Sequence, residues 1–393
     1  MNILHITTAF QRNRQDIITP WLVNLLRAQS ESNDVFVLTS GYGRVKNKQI
    51  LGKIKIFRFN YAPKNLMKMT HDLTIQDYIS RNPLSILLMP LFFFSGILKC
   101  LEIVRQEKIN IIIVHWPFPL FFIAFPAKIL NGKKIISVFY GADIKLFKNK
   151  FKKLHFILES ICNHSDSIVA ISNSTAKELT DLSRVKNISV IPYGVTMKDS
   201  KRNSKENLII TVGRQVERKG TEYLIKAMKY IDSAYKLAII GNGPLIGNLR
   251  DLTVKENLSD RVSFEGWVSD DKLEEFYERA KIFVLPAIYD SRGETEGLGM
   301  VLVEAMMHKA VCVASGIGGI PDIIKDKNTG FISKEKNYED ISEKINYIIR
   351  NKETSDLIAK NALEFCSKEF SLTSVEKKYE HLIKQVSFNN GKA

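Results

Sequence analysis

At 393 residues, 45% hydrophobic and 25% charged, the chain exceeds one ordinary core and carries enough apolar material to offset ordering entropy, which excludes wholesale disorder and predicts two domains of about 190 residues. The net charge of +15 is lopsided: residues 1–195 hold 26 Lys+Arg against 12 Asp+Glu and the remainder 31 against 30, so the first half expects an anionic partner, either nucleic acid or an acidic membrane surface, unless its charge serves only solubility. Cys100, Cys162, Cys312 and Cys366 lie far apart without CxxC spacing, which argues against a zinc site or a disulfide framework and reads as reduced, buried thiols.

Residues 2–9 read as a first strand, since no cationic stretch and cleavage site mark them as an export signal. Short apolar runs at 35–39, 109–114, 135–139, 167–171 and 189–191 alternate with helical patterns, which predicts crossover units and parallel sheets. Segment 83–98 is almost uncharged, but it is shorter than the roughly 20 residues of a membrane span and contains Pro90. It is expected to be a buried crossover helix or an apolar surface dipping into a membrane interface, not a transmembrane helix; 116–126 has the same ambiguity. Segment 128–153 has eight lysines against the single acid Asp143, with Phe147, Phe151 and Leu154 at near-helical spacing. That pattern predicts a basic amphipathic helix suited to lipid headgroups, or an ordinary surface helix. A polar stretch at 196–207 marks the domain boundary, and a second series of strands follows at 208–212, 236–240, 262–265, 282–285 and 311–314.

The strongest local signal is Thr211-Val-Gly-Arg-Gln-Val-Glu-Arg-Lys-Gly220, a glycine-flanked loop between an apolar strand and an amphipathic helix at 221–230. Such a loop offers backbone NH groups and a helix start to phosphate, and Arg214 and Lys219 add two positive charges. These suit a leaving nucleoside diphosphate; with no DxD triplet, the cations rather than a metal ion are expected to neutralise it, and the ExE of Glu294 and Glu296 is not read as a metal site. Surface solvation is the plain alternative for both cations. Next comes Glu296-Gly-Leu-Gly-Met-Val-Leu-Val-Glu304. Glu304 lies in an apolar helical stretch where an unpaired carboxylate would be costly, so it needs partners, and ribose hydroxyls are suitable donors. Eight helical rises, an upper guide of about 12 Å, would put Glu296 on the transferred sugar, with glycines letting the donor approach the helix start.

With these motifs come FQRNRQDIITPWLVNLL near the start, VHWPFP at 114–119, YGADI at 140–144, VIPYGV, IIGNGPL, VSFEGWV and GGIPDIIKDKNTGF. In this order and spacing, over essentially the full length, the chain resembles the retaining glycosyltransferases of family 4. The resemblance implies an α/β chain of the GT-B fold: two Rossmann-like β/α/β domains facing across a cleft, an acceptor-binding one at 1–195 and a nucleotide-sugar-binding one at 208–369, with 370–393 a helix returning to the first domain. It implies Arg214 and Lys219 on the donor diphosphate, Glu304 on the ribose, Glu296 with the backbone of Gly297, Leu298 and Gly299 on the sugar, and Val268 beside the nucleobase. Glu296, Arg214 and Lys219 would carry catalysis. Attack is expected from the leaving-group side, by positioning and electrostatic stabilisation.

Tyr140 stands where many relatives have His, so a histidine contact to the donor sugar is not expected. Asp143 is kept, and His115 is either a strand-end structural residue or a cleft residue. The QRNRQD loop resembles a subgroup acting in bacterial surface-polysaccharide assembly. The implied donor is a UDP- or GDP-sugar, with no metal or other cofactor. Charge and apolar patches favour a polyisoprenyl diphosphate-linked saccharide as acceptor and an anionic membrane surface as partner, the enzyme being cytoplasmic and peripheral at the inner membrane face. The alternatives are a nucleotide-sugar hydrolase or epimerase on the same fold, and a nucleic-acid-binding protein, for which the sequence holds no recognition module.

Overall fold

A computed structural model describes residues 1–13, 16, 18–71, 75–149, 151–197 and 204–388. The chain divides into two compact units, Met1–Gly194 with Leu372–Ala393, and Val195–Ser371.

The first unit is built on eight strands: β1 (Asn2–Ile6), β2 (Asp34–Ser40), β3 (Lys48–Leu51), β4 (Ile54–Phe59), β5 (Ile111–His115), β6 (Lys134–Phe139), β7 (Ser167–Ala170) and β8 (Ile188–Val190). Their order is β3-β4-β2-β1-β5-β6-β7-β8, and every pair is parallel except the antiparallel β3/β4 hairpin. A parallel sheet is covered on both faces, which is why its strands read as unbroken apolar runs. Alternation then divides the residues: Leu4, Ile6, Ile112 and Val114 enter one core and Ile3, Ile111 and Ile113 the other. The second core is completed by the helix Leu372–Phe388, which buries Val375, Tyr379, Leu382, Ile383 and Val386 beside the helix Pro20–Gln29.

The second unit has six strands, all parallel: β9 (Glu206–Val212), β10 (Lys236–Ile240), β11 (Val262–Gly266), β12 (Ala280–Leu285), β13 (Val311–Ser315) and β14 (Phe331–Ser333). Their order is β11-β10-β9-β12-β13-β14. In each sheet the chain first builds outward on one side and then crosses to the other. The reversal falls between β1 and β5 in the first sheet and between β9 and β12 in the second, the places where parallel sheets receive ligands at their carboxyl edge.

Several expectations need correction. The first strand stops at Ile6 rather than running to residue 9. The basic pattern that carries Phe147, Phe151 and Leu154 is no single helix: Ala142–Asn149 is helical and a separate 3-10 turn, Lys152–Leu154, follows. Phe147 is fully buried rather than outward, and Lys128 and Lys134 both pair with Asp166, at 2.6 and 3.3 Å. Lys150 of that pattern lies outside the described residues, as do Arg14, Gln15 and Ile17 of the first loop and 198–203 of the polar stretch. All four cysteines are free and buried.

Segment 83–98 proves to be two-faced. A 3-10 turn, Pro83–Leu88, runs into the helix Met89–Gln106, giving 24 residues that are long and apolar enough, by length and composition, to cross a membrane. Pro90 does not interrupt the helix because it sits in the first turn, where its missing NH has no partner to lose. One face carries Phe92, Gly96, Cys100, Ile103 and Val104 into the core. Leu84 (81% exposed), Leu87 (72%), Leu91, Phe94 and Leu98 stay outside, as do Phe122, Ile129 and Leu130 of the Pro117–Asn131 helix.

Candidate functional site

The second unit gathers its polar residues at the carboxyl edge of β9 and β12. After β9 the chain turns through Gly213 into the short 3-10 turn Glu217–Lys219, and Gly220 then starts the helix Thr221–Ala227. Gly220 has φ 62, and a Cβ there would lie 1.9 Å from the carbonyl oxygen of Pro286, the residue after β12. Only glycine permits this contact, which sets Lys219 against the β12 loop. On the other side Gly318, with φ 57, lets the loop after β13 approach the Glu296 carbonyl; a Cβ there would stand 2.2 Å from that oxygen. The Glu296 carbonyl also accepts from the Gly319 NH at 3.2 Å, so this loop holds the Glu296 backbone.

The consequence is a direct pair: Lys219 Nζ donates to Glu296 Oε2 at 2.6 Å, with the two side chains 11% and 17% exposed. This pair spans the strand-order reversal. Gly297, the buried Leu298 and Gly299 follow Glu296, and Gly299 (φ 90) starts the helix Met300–Met307. Glu296 therefore precedes that helix, so the eight positions to Glu304 are not eight helical rises, and the 12 Å guide does not apply. Arg214 is exposed and makes no ion pair among the described residues. Val268 is half-buried just past the end of β11, beside the exposed Trp267.

Glu304 has one partner that sequence reasoning missed. Tyr277, buried on the helix Asp270–Arg279, donates its hydroxyl to Glu304 Oε2 at 2.7 Å. Its ring stacks on His308, centroids 5.5 Å apart, and His308 Nε2 lies 3.0 Å from Glu274 Oε1. Burial pushes the Glu304 carboxyl above its usual range, against the opposing effects of the Tyr277 hydroxyl and His308. A tyrosine 27 positions from its partner leaves no local motif; only its place on a helix flanking the sheet could have drawn attention to it.

In the first unit His115, Tyr140 and Asp143 come together at the β1/β5 reversal. His5 Nδ1 lies 3.0 Å from His115 Nε2, and His115 Nδ1 lies 2.6 Å from the Tyr140 hydroxyl. Burial lowers His5 to about 3 and lowers His115 strongly, with His5 adding to the effect, while burial raises Tyr140. All three are neutral near pH 7, and the chain closes if Tyr140 donates to His115 and His115 donates to His5. Trp21, Trp116 and Tyr193 surround the Tyr140 ring at centroid distances of 5.0, 4.6 and 5.7 Å. Trp116 has φ 53, a left-handed backbone that a bulky residue adopts only under constraint. Asp143 Oδ1 accepts from the backbone NH groups of Tyr140 and Ile144, both at 3.2 Å. Its Oδ2 is buried with no partner among the described residues, and burial raises the carboxyl to about 7.

Residues 195–365 match the family described as glycosyl transferases group 1, and residues 21–198 match glycosyltransferase family 4. An uncharacterized glycosyltransferase of Methanocaldococcus jannaschii is 31% identical over 286 residues, covering 72% of this chain and 78% of that one. The chain is a family 4 glycosyltransferase. Among its relatives, the N-acetyl-alpha-D-glucosaminyl L-malate synthase of Bacillus anthracis is 23% identical over 341 residues, 82% of this glycosyltransferase and 85% of the relative. The putative colanic acid biosynthesis glycosyltransferase WcaL of Salmonella typhimurium is 24% identical over 270 residues, 66% of each chain. The crystal structure of HepE from Anabaena in complex with UDP matches with a TM-score of 0.74 at 14% identity, covering 98% of this glycosyltransferase and all of HepE. That likeness gives the GT-B fold, with its two Rossmann-like domains.

Proposed function

We propose that this glycosyltransferase moves a hexose from a UDP- or GDP-sugar, with retention and without a metal ion, onto a polyisoprenyl diphosphate-linked saccharide at the cytoplasmic face of the cell membrane, in the assembly of a bacterial surface polysaccharide such as a capsule, O-antigen or exopolysaccharide. The observation that carries the donor half is the Lys219–Glu296 pair across the β9/β12 reversal. It holds a cation and an anion at one point, ready to part on ligand entry: the cation to the diphosphate and the carboxylate to the sugar hydroxyls. UDP in HepE supports the donor class.

In this reading Arg214 and Lys219 stabilise the charge that gathers on the diphosphate as the bond from sugar C1 to the phosphate oxygen breaks. The acceptor hydroxyl oxygen bonds to C1 from the same face, and its proton passes to the departing phosphate oxygen, so the anomeric configuration is kept. Glu296 and the Gly297–Gly299 backbone orient the sugar. Val268 lies beside the base. Glu304 accepts from the ribose on the oxygen that Tyr277 leaves open. The first unit takes the acceptor, with His115, Tyr140 and Asp143 at its sheet edge.

The membrane half rests on the outward stripe Leu84, Leu87, Leu91, Phe94 and Leu98. Their spacing of three and four places them on one helical face, in a half of the chain with a large excess of basic residues. Because the opposite face is in the core, lying in the interface preserves the fold, whereas spanning the membrane would strip Phe92 and Cys100 from it. Colanic acid in the name of WcaL supports the polysaccharide role.

The test is sugar transfer from labelled UDP- and GDP-sugars into the organic-extractable lipid of bacterial membranes. Label entering the lipid-linked saccharide from one donor class is the expected result. Full turnover of the donor without acceptor would instead establish the hydrolase or epimerase reading.

A further inference from the structure

Arg58, one residue from the carboxyl end of β4, is the largest fully buried side chain among the described residues, 1% exposed. Its guanidinium meets neutral acceptors: Nη1 donates to Gln49 Oε1 and to the Lys46 carbonyl, and Nη2 donates to the Gln11 carbonyl at 2.8 Å. Its Nε is buried with no acceptor among the described residues. Among the described residues, the carboxylate that favours its charge is Asp16, which Arg12 already engages at 2.6 Å. Burial lowers Arg58 to about 10, which leaves it charged at neutral pH. A guanidinium withdrawn from water without its own counter-ion is costly, and two guanidiniums share one carboxylate here.

The residues that hold Arg58 form the wall of a cavity of about 360 Å³. Gln11, Lys46 and Gln49 line it, together with Arg12, Asn13 and Lys48, and none of the described lining residues is acidic. Asp16 aside, the surroundings are cationic on every named side: Arg12, Lys46 and Lys48 on the wall, Arg58 behind it. The loop after β1 and the antiparallel edge hairpin β3/β4 supply this wall. Cations, amide donors and a shortage of carboxylate point to one chemistry, a multiply charged oxyanion.

We infer that this cavity is a second anion site, built by the first unit alone, that takes a phosphate or diphosphate group. Resting on the function proposed above, its occupant is the diphosphate of the lipid-linked acceptor. The donor diphosphate is bound by the other unit, so the enzyme would hold two diphosphates at once, through separate cations.

Titration of inorganic pyrophosphate into the full-length protein tests the site in three forms: the natural sequence, Lys219→Ala, and the double variant Lys46→Ala/Lys48→Ala, whose exposed side chains leave the fold intact. Two binding events are expected in the natural sequence, one weakened by Lys219→Ala and the other weakened at least tenfold in the double variant. Unchanged binding in the double variant, or binding abolished by Lys219→Ala alone, overturns the anion site. A second arm separates the two sources of the group. A tenfold rise in KM for a polyprenyl diphosphate-linked saccharide in the double variant, with kcat kept, is expected. If that KM is unmoved while pyrophosphate binding is lost, the site serves a free phosphate and its assignment to the acceptor is overturned. Failure of the natural enzyme to transfer any sugar would count against the proposed function, and the pyrophosphate titration would still decide the anion site.

Discussion

Asp143 shows how burial alone can make a side chain pH-sensitive. One oxygen is held by two backbone NH groups and the other has no partner, so burial outweighs the hydrogen bonds and the carboxyl keeps its proton to about pH 7. The unfolded chain releases that proton near 3.8. Between those values the folded state binds more protons, so this group's contribution to stability falls as pH rises from about 4 to about 7 and is flat above. Asp143→Asn should remove that slope, which amounts to at most about 4 kcal/mol. Urea unfolding at pH 4.5 and pH 8 checks it; an identical pH dependence in the variant would show that Asp143 ionises normally in the fold. Lys219 and Glu296 were legible in the sequence because each lies in a short glycine-marked motif. His5 and Tyr277 were not, since an isolated polar residue in an apolar strand or an amphipathic helix declares nothing until its distant partner is beside it.

At the scale of elements, the central parallel strands were readable because burial on both faces leaves an unbroken apolar run, as in the five fully buried residues of β5. The edge hairpin was not: β3 is four residues with exposed and half-buried positions alternating, and β14 has three. Charge misled around Phe147, Phe151 and Leu154, where lysines on a helix and on a separate 3-10 turn imitated a single basic helix. Gly220 ties one element to another, and Gly220→Ala should strain both the left-handed backbone and the contact with Pro286, costing on the order of 1–3 kcal/mol and raising the donor KM because Lys219 moves with it. Thermal unfolding and a donor titration measure these; a variant as stable and as active as the parent would mean that the two loops tolerate separation. The apolar stripe invites a different substitution. Leu87→Glu/Phe94→Glu leaves the buried face of that helix intact, and it should abolish sedimentation with anionic vesicles while leaving the folded state and nucleotide binding unchanged. Co-sedimentation equal to that of the parent would assign the stripe to something other than lipid.

Across the whole molecule, the two units divide charge as well as chain. The basic excess lies in residues 1–195, while the remainder is nearly balanced. A balanced unit must focus positive charge locally to hold a diphosphate, and the proposed function assigns that task to Arg214 and Lys219. The sequence announced this division through composition and through the order of its motifs. It did not announce that Lys219 and Glu296, 77 positions apart, are bonded, because that contact depends on which two strands flank the reversal of the sheet. Calorimetric titration of UDP and GDP into the full-length protein and its Lys219→Ala and Arg214→Ala variants bears on this most directly. One nucleoside diphosphate should bind the natural sequence, and each variant should lose at least tenfold in affinity, about 1.4 kcal/mol. Binding unaffected by either substitution, or no binding of either nucleotide to the natural sequence, would contradict a donor site at the β9/β12 reversal.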